Sequence, residues 1–304
     1  MLALVIGGNG FIGSCLVERL RALGHRVRVL DPSRPRADVD WQGVDYVTGN
    51  LLDRNALSPI IDNVDVVFHL ASSTVPGTSN MDPVADVQTN LVGALNLCSA
   101  MIAADKRRLV YFSSGGTVYG DPQQLPVPET HPLHPISSYG VVKVAIENYL
   151  LMHEQLGNLD PLILRPSNPY GPRQSLAGIQ GVIAAFLGKA LQGEGVRIWG
   201  DGEVVRDYLY IDDLIEFAAT AGTGDKTGVV NVGSGQGHSL NQIASLVRET
   251  TGVALPVEYA PKRAFDVAEI VLDISRASSE FGWQPSIDLL TGIRATWQAL
   301  LQRN

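Results

Sequence analysis

The segment Gly7-Gly8-Asn9-Gly10-Phe11-Ile12-Gly13 constrains this chain more than any other stretch. It follows the apolar run Leu2–Ile6 and opens a stretch of helical period that continues through Leu23. Its glycines therefore stand in a strand-turn-helix context. Gly7 permits the tight turn, Gly10 lets the backbone approach a pyrophosphate, and Gly13 lets the helix pack against the strand with its first N–H groups toward the anion. Phe11 and Ile12 belong to that first turn and are grouped with the glycines as cofactor-binding residues. Asp31 ends the second strand 18 residues beyond Gly13, where a carboxylate accepts hydrogen bonds from both adenosine ribose hydroxyls and repels a 2′-phosphate. NAD is the expected cofactor. Arg34 and Arg36 lie close enough in sequence to keep NADP open as the lesser alternative.

Leu2–Ile6, Val27–Leu30, Tyr46–Val47, Val64–Leu70, Leu109–Ser113 and Leu162–Leu164 read as strands, with amphipathic stretches of helix length between them. Near-continuous apolar strands joined by helices imply a parallel sheet covered on both faces, the doubly wound (Rossmann) α/β arrangement. Such sheets bind ligands at the carboxyl ends of their strands. After Arg165 the rhythm breaks at Pro166, Pro169, Gly171 and Pro172, and longer polar connections follow, as expected of a smaller α/β lobe that caps a substrate. Val229–Val232 reads as one further strand of the first sheet, so the chain is expected to cross between lobes more than once. The expected division is a dinucleotide-binding domain of residues 1–170 with about 207–235, and a second lobe of about 171–206 and 236–304.

The 304 residues are 45% hydrophobic and 18% charged, ample material for a large core, and the formal charge of -8 argues against broad attachment to nucleic acid or an anionic membrane. A phosphate ligand must be met locally. Cys15 and Cys98 both lie in stretches of helical period and are read as buried thiols, with no disulfide framework. The N-terminal residues lack the features of a signal peptide and no run reaches the roughly 18 apolar residues of a membrane span, so a cytoplasmic location is expected. The six histidines show no metal-ligand spacing and no metal is expected. His69 reads as structural.

Tyr139 and Lys143 are four residues apart in a segment of helical period, which puts phenol and ammonium on one face, one turn apart. A nearby cation favours phenolate, so Lys143, helped by an oxidised nicotinamide, is expected to bring Tyr139 from about 10 toward the working pH as a general base. The pair follows Phe112-Ser113-Ser114-Gly115-Gly116-Thr117-Val118-Tyr119-Gly120 by about 20 residues, at the sheet end where the cofactor should lie.

With these motifs the chain resembles the extended short-chain dehydrogenase/reductases, the NAD-dependent epimerase/dehydratase family that includes UDP-galactose 4-epimerases. The resemblance covers nearly the full length. It rests on Gly7/Gly10/Gly13, Asp31, His69-Leu70-Ala71, Asn90, Ser113 to Gly120, Tyr139 with Lys143, the run Arg165 to Arg173, and Arg206-Asp207-Tyr208. It implies that Asn50 and Leu51 border the adenine, that Leu70 and Ala71 line the pyrophosphate-to-ribose stretch, and that Lys143 meets the nicotinamide ribose. It further implies that Ser113 contacts the cofactor and that Asn90 helps fix the helix bearing the tyrosine. Gly115 stands where the family usually has a Ser or Thr bonded to the reacting sugar oxygen. Losing such a donor costs on the order of 10²–10³ in rate. Thr117 is the first replacement expected and Ser114 the second.

The same segment separates reactions within the family. Dehydratases carry an Asp-Glu pair directly after the Ser/Thr, and decarboxylating relatives tend to have a glutamate at the Thr117 position; here Gly116 and Thr117 occupy these places. Epimerisation needs only the tyrosine and the cofactor. By the same resemblance Arg206 and Arg263 meet the diphosphate of a nucleotide sugar, Asp266 supports the latter arginine, Asn168 contacts diphosphate or sugar, and Trp199 lies beside the base. Ser73 and Arg173 complete the implied substrate set. The expected activity is a nucleotide-sugar 4-epimerase acting on a UDP-hexose through a transient 4-keto intermediate. A nucleotide-sugar reductase or dehydrogenase, or a catalytically impaired NAD-binding protein, stays open. A homodimer through the helices carrying Asn90–Ala104 and Tyr139–Met152 is also implied.

Overall fold

Runs of β-branched and aliphatic residues with no polar alternation can satisfy their backbone only in a sheet buried on both faces, and here they do so. The structure, a computed structural model, describes residues 1–176, 181–262 and 267–303. Its first half comprises β1 (Leu2–Ile6), α1 (Phe11–Ala22), β2 (Arg26–Asp31), β3 (Asp45–Thr48), α2 (Arg54–Ile61), β4 (Val66–His69), the short α3 (Pro83–Asp86), α4 (Gly93–Ala103), β5 (Arg108–Phe112), α5 (Ser138–Gln155) and β6 (Asp160–Pro166). The second half comprises β7 (Asn168–Tyr170), α6 (Val182–Gln192), β8 (Val196–Trp199), β9 (Val205–Tyr210), α7 (Ile211–Gly222), β10 (Gly228–Val232), β11 (Gly237–Ser239), α8 (Leu240–Thr251), β12 (Val257–Ala260), β13 (Glu269–Ile270), α9 (Ser275–Phe281) and α10 (Leu289–Arg303).

Seven strands line up in the order β10-β6-β5-β4-β1-β2-β3, and the pairs from β6 across to β3 are parallel. All seven strands expected from the sequence are present in this sheet. The doubly wound α/β class is therefore the observed one. The core over one face joins Leu4, Ile6 and Val67 of the sheet to Leu97 and Met101 of α4 and to Ile146 and Leu150 of α5. Each such side chain contributes about 1.5–3 kcal/mol on burial, and together they dock α4 and α5 on the sheet.

The strand order reverses between β1 and β4, and the two loops leaving these strands meet there. Gly7 has φ +83°, and a Cβ on it would lie 2.7 Å from the Ala71 amide nitrogen. A Cβ on Gly13 would lie 2.1 Å from the Gly7 carbonyl oxygen, so only glycine lets α1 start so close to β1. The topological switch point is thus assembled by the residues that the sequence singled out.

Close Cα neighbours divide the chain into two units. The first is Met1–Val118, Pro135–Arg165 and Ile215–Val230; the second is Tyr119–His134, Pro166–Leu214 and Asn231–Asn304. In the second unit β9 is the hub, pairing β7 and β13 in parallel and β11 antiparallel, while β8 and β12 form a separate parallel pair. Asp207 of β9 is fully buried, and its carboxylate accepts from the Ser234 amide (2.8 Å) and hydroxyl (2.7 Å) and from the amides of Gly235 (3.2 Å) and Leu272 (3.3 Å). Four donors on one buried carboxylate pin two separate segments to the hub strand. No helix among the described residues is long and apolar enough to cross a membrane.

Candidate active site

In the first unit the glycine turn offers backbone rather than side chains. Gly10 is the N-cap of α1 and no side chain caps the helix, so its first N–H groups face outward for an anion. A Cβ on Gly10 would meet only the Gly7 carbonyl oxygen, at 3.4 Å, leaving the space a pyrophosphate needs. Asp31 is buried at the end of β2, and its two oxygens accept from the amides of Asn9 (3.1 Å) and Ser33 (2.9 Å). A carboxylate has about four acceptor positions, so two remain for ribose hydroxyls. Arg36, which kept a 2′-phosphate open, is held by both oxygens of Asp38 at 2.8 and 2.9 Å. The residues present fit an adenine dinucleotide without a 2′-phosphate.

The neighbouring loops are set by local bonds. Asn50 accepts the Leu52 amide (2.8 Å), and the Leu51 carbonyl accepts from Asn96 of α4 (3.0 Å). The Leu70 amide continues the ladder to Ile6 (2.9 Å), and Ala71 abuts Gly7. Asn90 lies in a π-helical turn, Val87–Val92, between α3 and α4. Its side chain accepts the Ser73 amide (2.9 Å) and donates to Asp86 (2.8 Å), while the Ser73 hydroxyl bonds Thr89 (2.6 Å).

Tyr139 and Lys143 stand one turn apart on α5, as their spacing requires. Lys143 is buried; its ammonium donates to the Phe112 carbonyl (2.7 Å) and lies 4.9 Å from the Tyr111 ring centroid and 5.4 Å from that of Tyr139. Burial pushes Lys143 down to about 8, against the charges of Glu147 and Asp86, which raise it. In the chain alone, burial and then the charge of Asp86 push Tyr139 up to about 12, while a hydrogen bond with Ser114 draws it back. The reason is that phenolate formation takes a charge into a site already holding a carboxylate, and the Lys143 ammonium is directed at a carbonyl.

Of the two hydroxyls considered beside Gly115, Ser114 is the one that bonds the Tyr139 phenol. Thr117 Oγ1 is buried, with no hydrogen-bond partner among the described residues. Ser113 turns inward: its hydroxyl donates to Glu147 in a very short hydrogen bond, and its amide donates to the Leu164 carbonyl (2.7 Å). His69 is buried beside Tyr111, with ring centroids 5.4 Å apart, and burial followed by the Lys143 charge pushes it down to about 3, which keeps it neutral.

Two buried carboxylates escaped the sequence reading. Glu147 follows Lys143 by four residues and receives Arg165 at 3.1 and 2.6 Å; Asp86 precedes Asn90 by four. Both spacings put the acid on the same helical face as a residue already named, which was the available signal.

In the second unit the Asn168 amide donates to the Asp207 carbonyl (2.9 Å) and Arg206 donates to the Val205 carbonyl (2.8 Å). Trp199 ends β8 partly exposed, and the charge of Arg173 lowers Asp212, whose carboxyl is raised first by burial. Arg263 and Asp266 lie outside the described residues. No group of three or more His, Cys, Asp or Glu among the described residues could hold a metal ion.

A glycine turn at a topological switch point, a half-buried tyrosine with a buried lysine one turn along α5, and an acidic residue ending β2 define a dinucleotide-dependent enzyme of the short-chain dehydrogenase/reductase type. A family model for the NAD dependent epimerase/dehydratase family matches residues 3–233, and the chain belongs to that family. It is 37% identical over 304 residues to a UDP-glucose 4-epimerase of Mycolicibacterium smegmatis, covering 97% of both chains. Among solved structures it is similar to the UDP-glucose 4-epimerase of Thermotoga maritima with UDP-glucose, with TM-score 0.95, 35% identity, and 100% and 99% of the two chains covered. It is likewise similar to the UDP-glucose 4-epimerase of Thermus thermophilus in complex with NAD, with TM-score 0.93, 36% identity and 99% of each chain covered.

Proposed function

We propose that this chain interconverts the C4 epimers of a UDP-hexose by transient oxidation at C4, with NAD as a recycled cofactor and no net redox change. The observation that carries this reading is the start of α5, where one phenol, Tyr139, is bonded by Ser114 and backed by Lys143. Elimination of water needs a further acid and base, and Gly116 and Thr117 stand where that pair would be. Returning a proton to the oxygen that lost it needs only the phenol. Relatives described with UDP-glucose and with NAD support the substrate class and the cofactor.

NAD, when bound, supplies the two-electron oxidant and a positive charge beside the phenol. Tyr139 takes the C4 hydroxyl proton, Ser114 donates to the C4 oxygen, and the Lys143 ammonium, protonated below about 8, stabilises the phenolate. After the 4-keto sugar turns, Tyr139 gives the proton back. Gly7, Gly10, Phe11, Ile12 and Gly13 hold the pyrophosphate by backbone, Asp31 the adenosine ribose, Asn50 and Leu51 the adenine side, and Leu70 and Ala71 the stretch between. Asn168, Arg173, Trp199 and Arg206 are assigned to the nucleotide sugar, the guanidinium forks suiting phosphate oxygens. The cofactor is assigned to residues 1–170 with about 207–235 and the nucleotide sugar to the remainder.

The test is NMR of UDP-, GDP-, CDP- and dTDP-sugars after incubation with the protein. Interconversion of UDP-glucose and UDP-galactose without consumption of added NAD or NADH is expected; no interconversion at C4 anywhere in the panel would sink the reading.

The proposal includes a homodimer through the helices of Asn90–Ala104 and Tyr139–Met152. Val141, Tyr149 and Met152 leave an apolar stripe exposed along α5, and Val84, Val87 and Val92 another along α3 and the π-helical turn before α4. Paired charges on the first stripe, Val141→Glu with Met152→Glu, are expected to halve the mass measured by light scattering. An unchanged mass would count against this interface.

A further inference from the structure

Asp86 is a fully buried carboxylate that the chemistry above does not use. It accepts from the Thr74 hydroxyl (2.7 Å), from the Asn90 amide (2.8 Å) and from the hydroxyl of Ser138 (2.6 Å), the residue directly before Tyr139. It therefore ties the loop after β4 and the π-helical turn to the first turn of α5. Two further bonds from the same segment hold that turn: the Ser138 amide donates to Asn80 (2.7 Å), and the Tyr139 amide donates to Ser79 (3.0 Å). A helix start needs its orphan N–H groups met, and Ser137, the N-cap, meets only that of Gly140, at 3.2 Å. The segment of residues 79–90 supplies the rest.

We propose that Asp86 is a positioning residue for the reaction, holding the start of α5 through Ser138 and placing a buried negative charge beside the Tyr139–Lys143 pair. The inference rests on Tyr139 being the acid-base group. The groups facing that pair are His69 of β4, Tyr111 of β5, Ser114 of the following loop, Glu147 of α5, itself bound by Arg165 of β6, and Asp86. Among them Asp86 raises both members of the pair, which separates it from a group that only shapes the pocket. Two coupled groups titrate as a pair, so neither limb of a pH-rate profile belongs to one residue. Removing a charge that raises both must move both limbs to lower pH, whichever way they are assigned.

Asp86→Asn isolates this effect. The new amide oxygen still accepts from Thr74 and Asn90, and its N–H₂ donates to Ser138, whose hydroxyl can turn to accept. Positioning is kept and only the charge goes. In the NAD-loaded enzyme, the kcat profile of Asp86→Asn is expected to shift by about 1 pH unit to the acid side on both limbs. Ser138→Ala keeps the charge and cuts the link; kcat is expected to fall about tenfold, with KM and both limbs near their original values.

A folded Asp86→Asn enzyme with unmoved limbs overturns the electrostatic half of the proposal. Should that variant not fold, Ser138→Ala still decides the positioning half, which an unchanged kcat overturns. If Tyr139→Phe keeps full activity, the acid-base assignment itself has failed; if it is inactive while Asp86→Asn leaves the limbs in place, this inference alone falls.

Discussion

Replacing Tyr139 by Phe is expected to lower epimerisation by about 10²–10⁴-fold, the usual worth of a positioned acid-base group, while leaving the fold and NAD binding in place. The substitution removes one oxygen and no ring, so packing around the start of α5 keeps its volume and no cavity opens. The pyrophosphate turn at Gly7–Gly13 belongs to α1 and β1 and shares no hydrogen bond with the phenol. What disappears is the bond with Ser114 and the only group on α5 able to take the C4 proton. Stopped assays with UDP-galactose, together with NAD retained through dialysis and the melting temperature, check all three parts. A variant that turns over within about threefold of the parent would remove the phenol from the mechanism. Phenolate formation also sets the pH dependence: burial and Asp86 hold Tyr139 up to about 12, so the free chain gains phenolate only as pH rises toward that value. The positive charge of bound NAD acts in the opposite direction, so the phenol is expected to lose its proton at lower pH in the NAD-loaded enzyme than in the chain without cofactor.

The strands and the glycine turn were legible because their signals are local. A parallel strand buried on both faces reads as an unbroken apolar run, and Gly13 is required by a carbonyl six residues away. Tyr139 and Lys143 were legible for the same reason, four residues apart on one helix. Asp86 was legible only in part: its spacing of four from Asn90 is local, but Thr74 and Ser138 join it only when α3 docks beside α5, and no spacing links residue 74 to residue 138. The rise of the tyrosine in the chain alone was missed with it: the sequence reading weighed the positive charges of Lys143 and the nicotinamide, and not burial or Asp86. The hydroxyl of Ser113 illustrates the other limit. Its place at the carboxyl end of β5 directs attention to the cofactor, but side chains alternate along a strand and extend to either face, and the inward one found Glu147. In the second unit β9 is the hub of short strands that pair over long sequence separations, a pattern that carries almost no periodic signal.

Glu147→Leu is expected to destabilise the chain by about 3–5 kcal/mol and to lower the melting temperature by about 5–8 °C, because it strips the carboxylate from a buried guanidinium. Both partners are almost wholly inaccessible, with side-chain exposures of 4% for Arg165 and 1% for Glu147, so solvent screening gives little relief. The Ser113 hydroxyl loses its acceptor as well. Adding Arg165→Met should recover most of the loss, since an apolar pair of similar size replaces a buried ion pair at little net cost. Activity is expected to follow another course. Burial lowers Lys143 to about 8 and the charge of Glu147 works against that, so without Glu147 the ammonium loses its proton at a pH nearer neutrality. The sign for the reaction is then fixed. The alkaline limb of kcat moves to lower pH in Glu147→Leu and stays there in the double variant, although the double variant melts close to the parent. Differential scanning calorimetry and a pH-rate profile on the same two proteins separate these effects. Recovery of both stability and the alkaline limb by Arg165→Met would mean that Glu147 serves α5 through packing alone, and that Lys143 keeps its proton without a carboxylate one turn away.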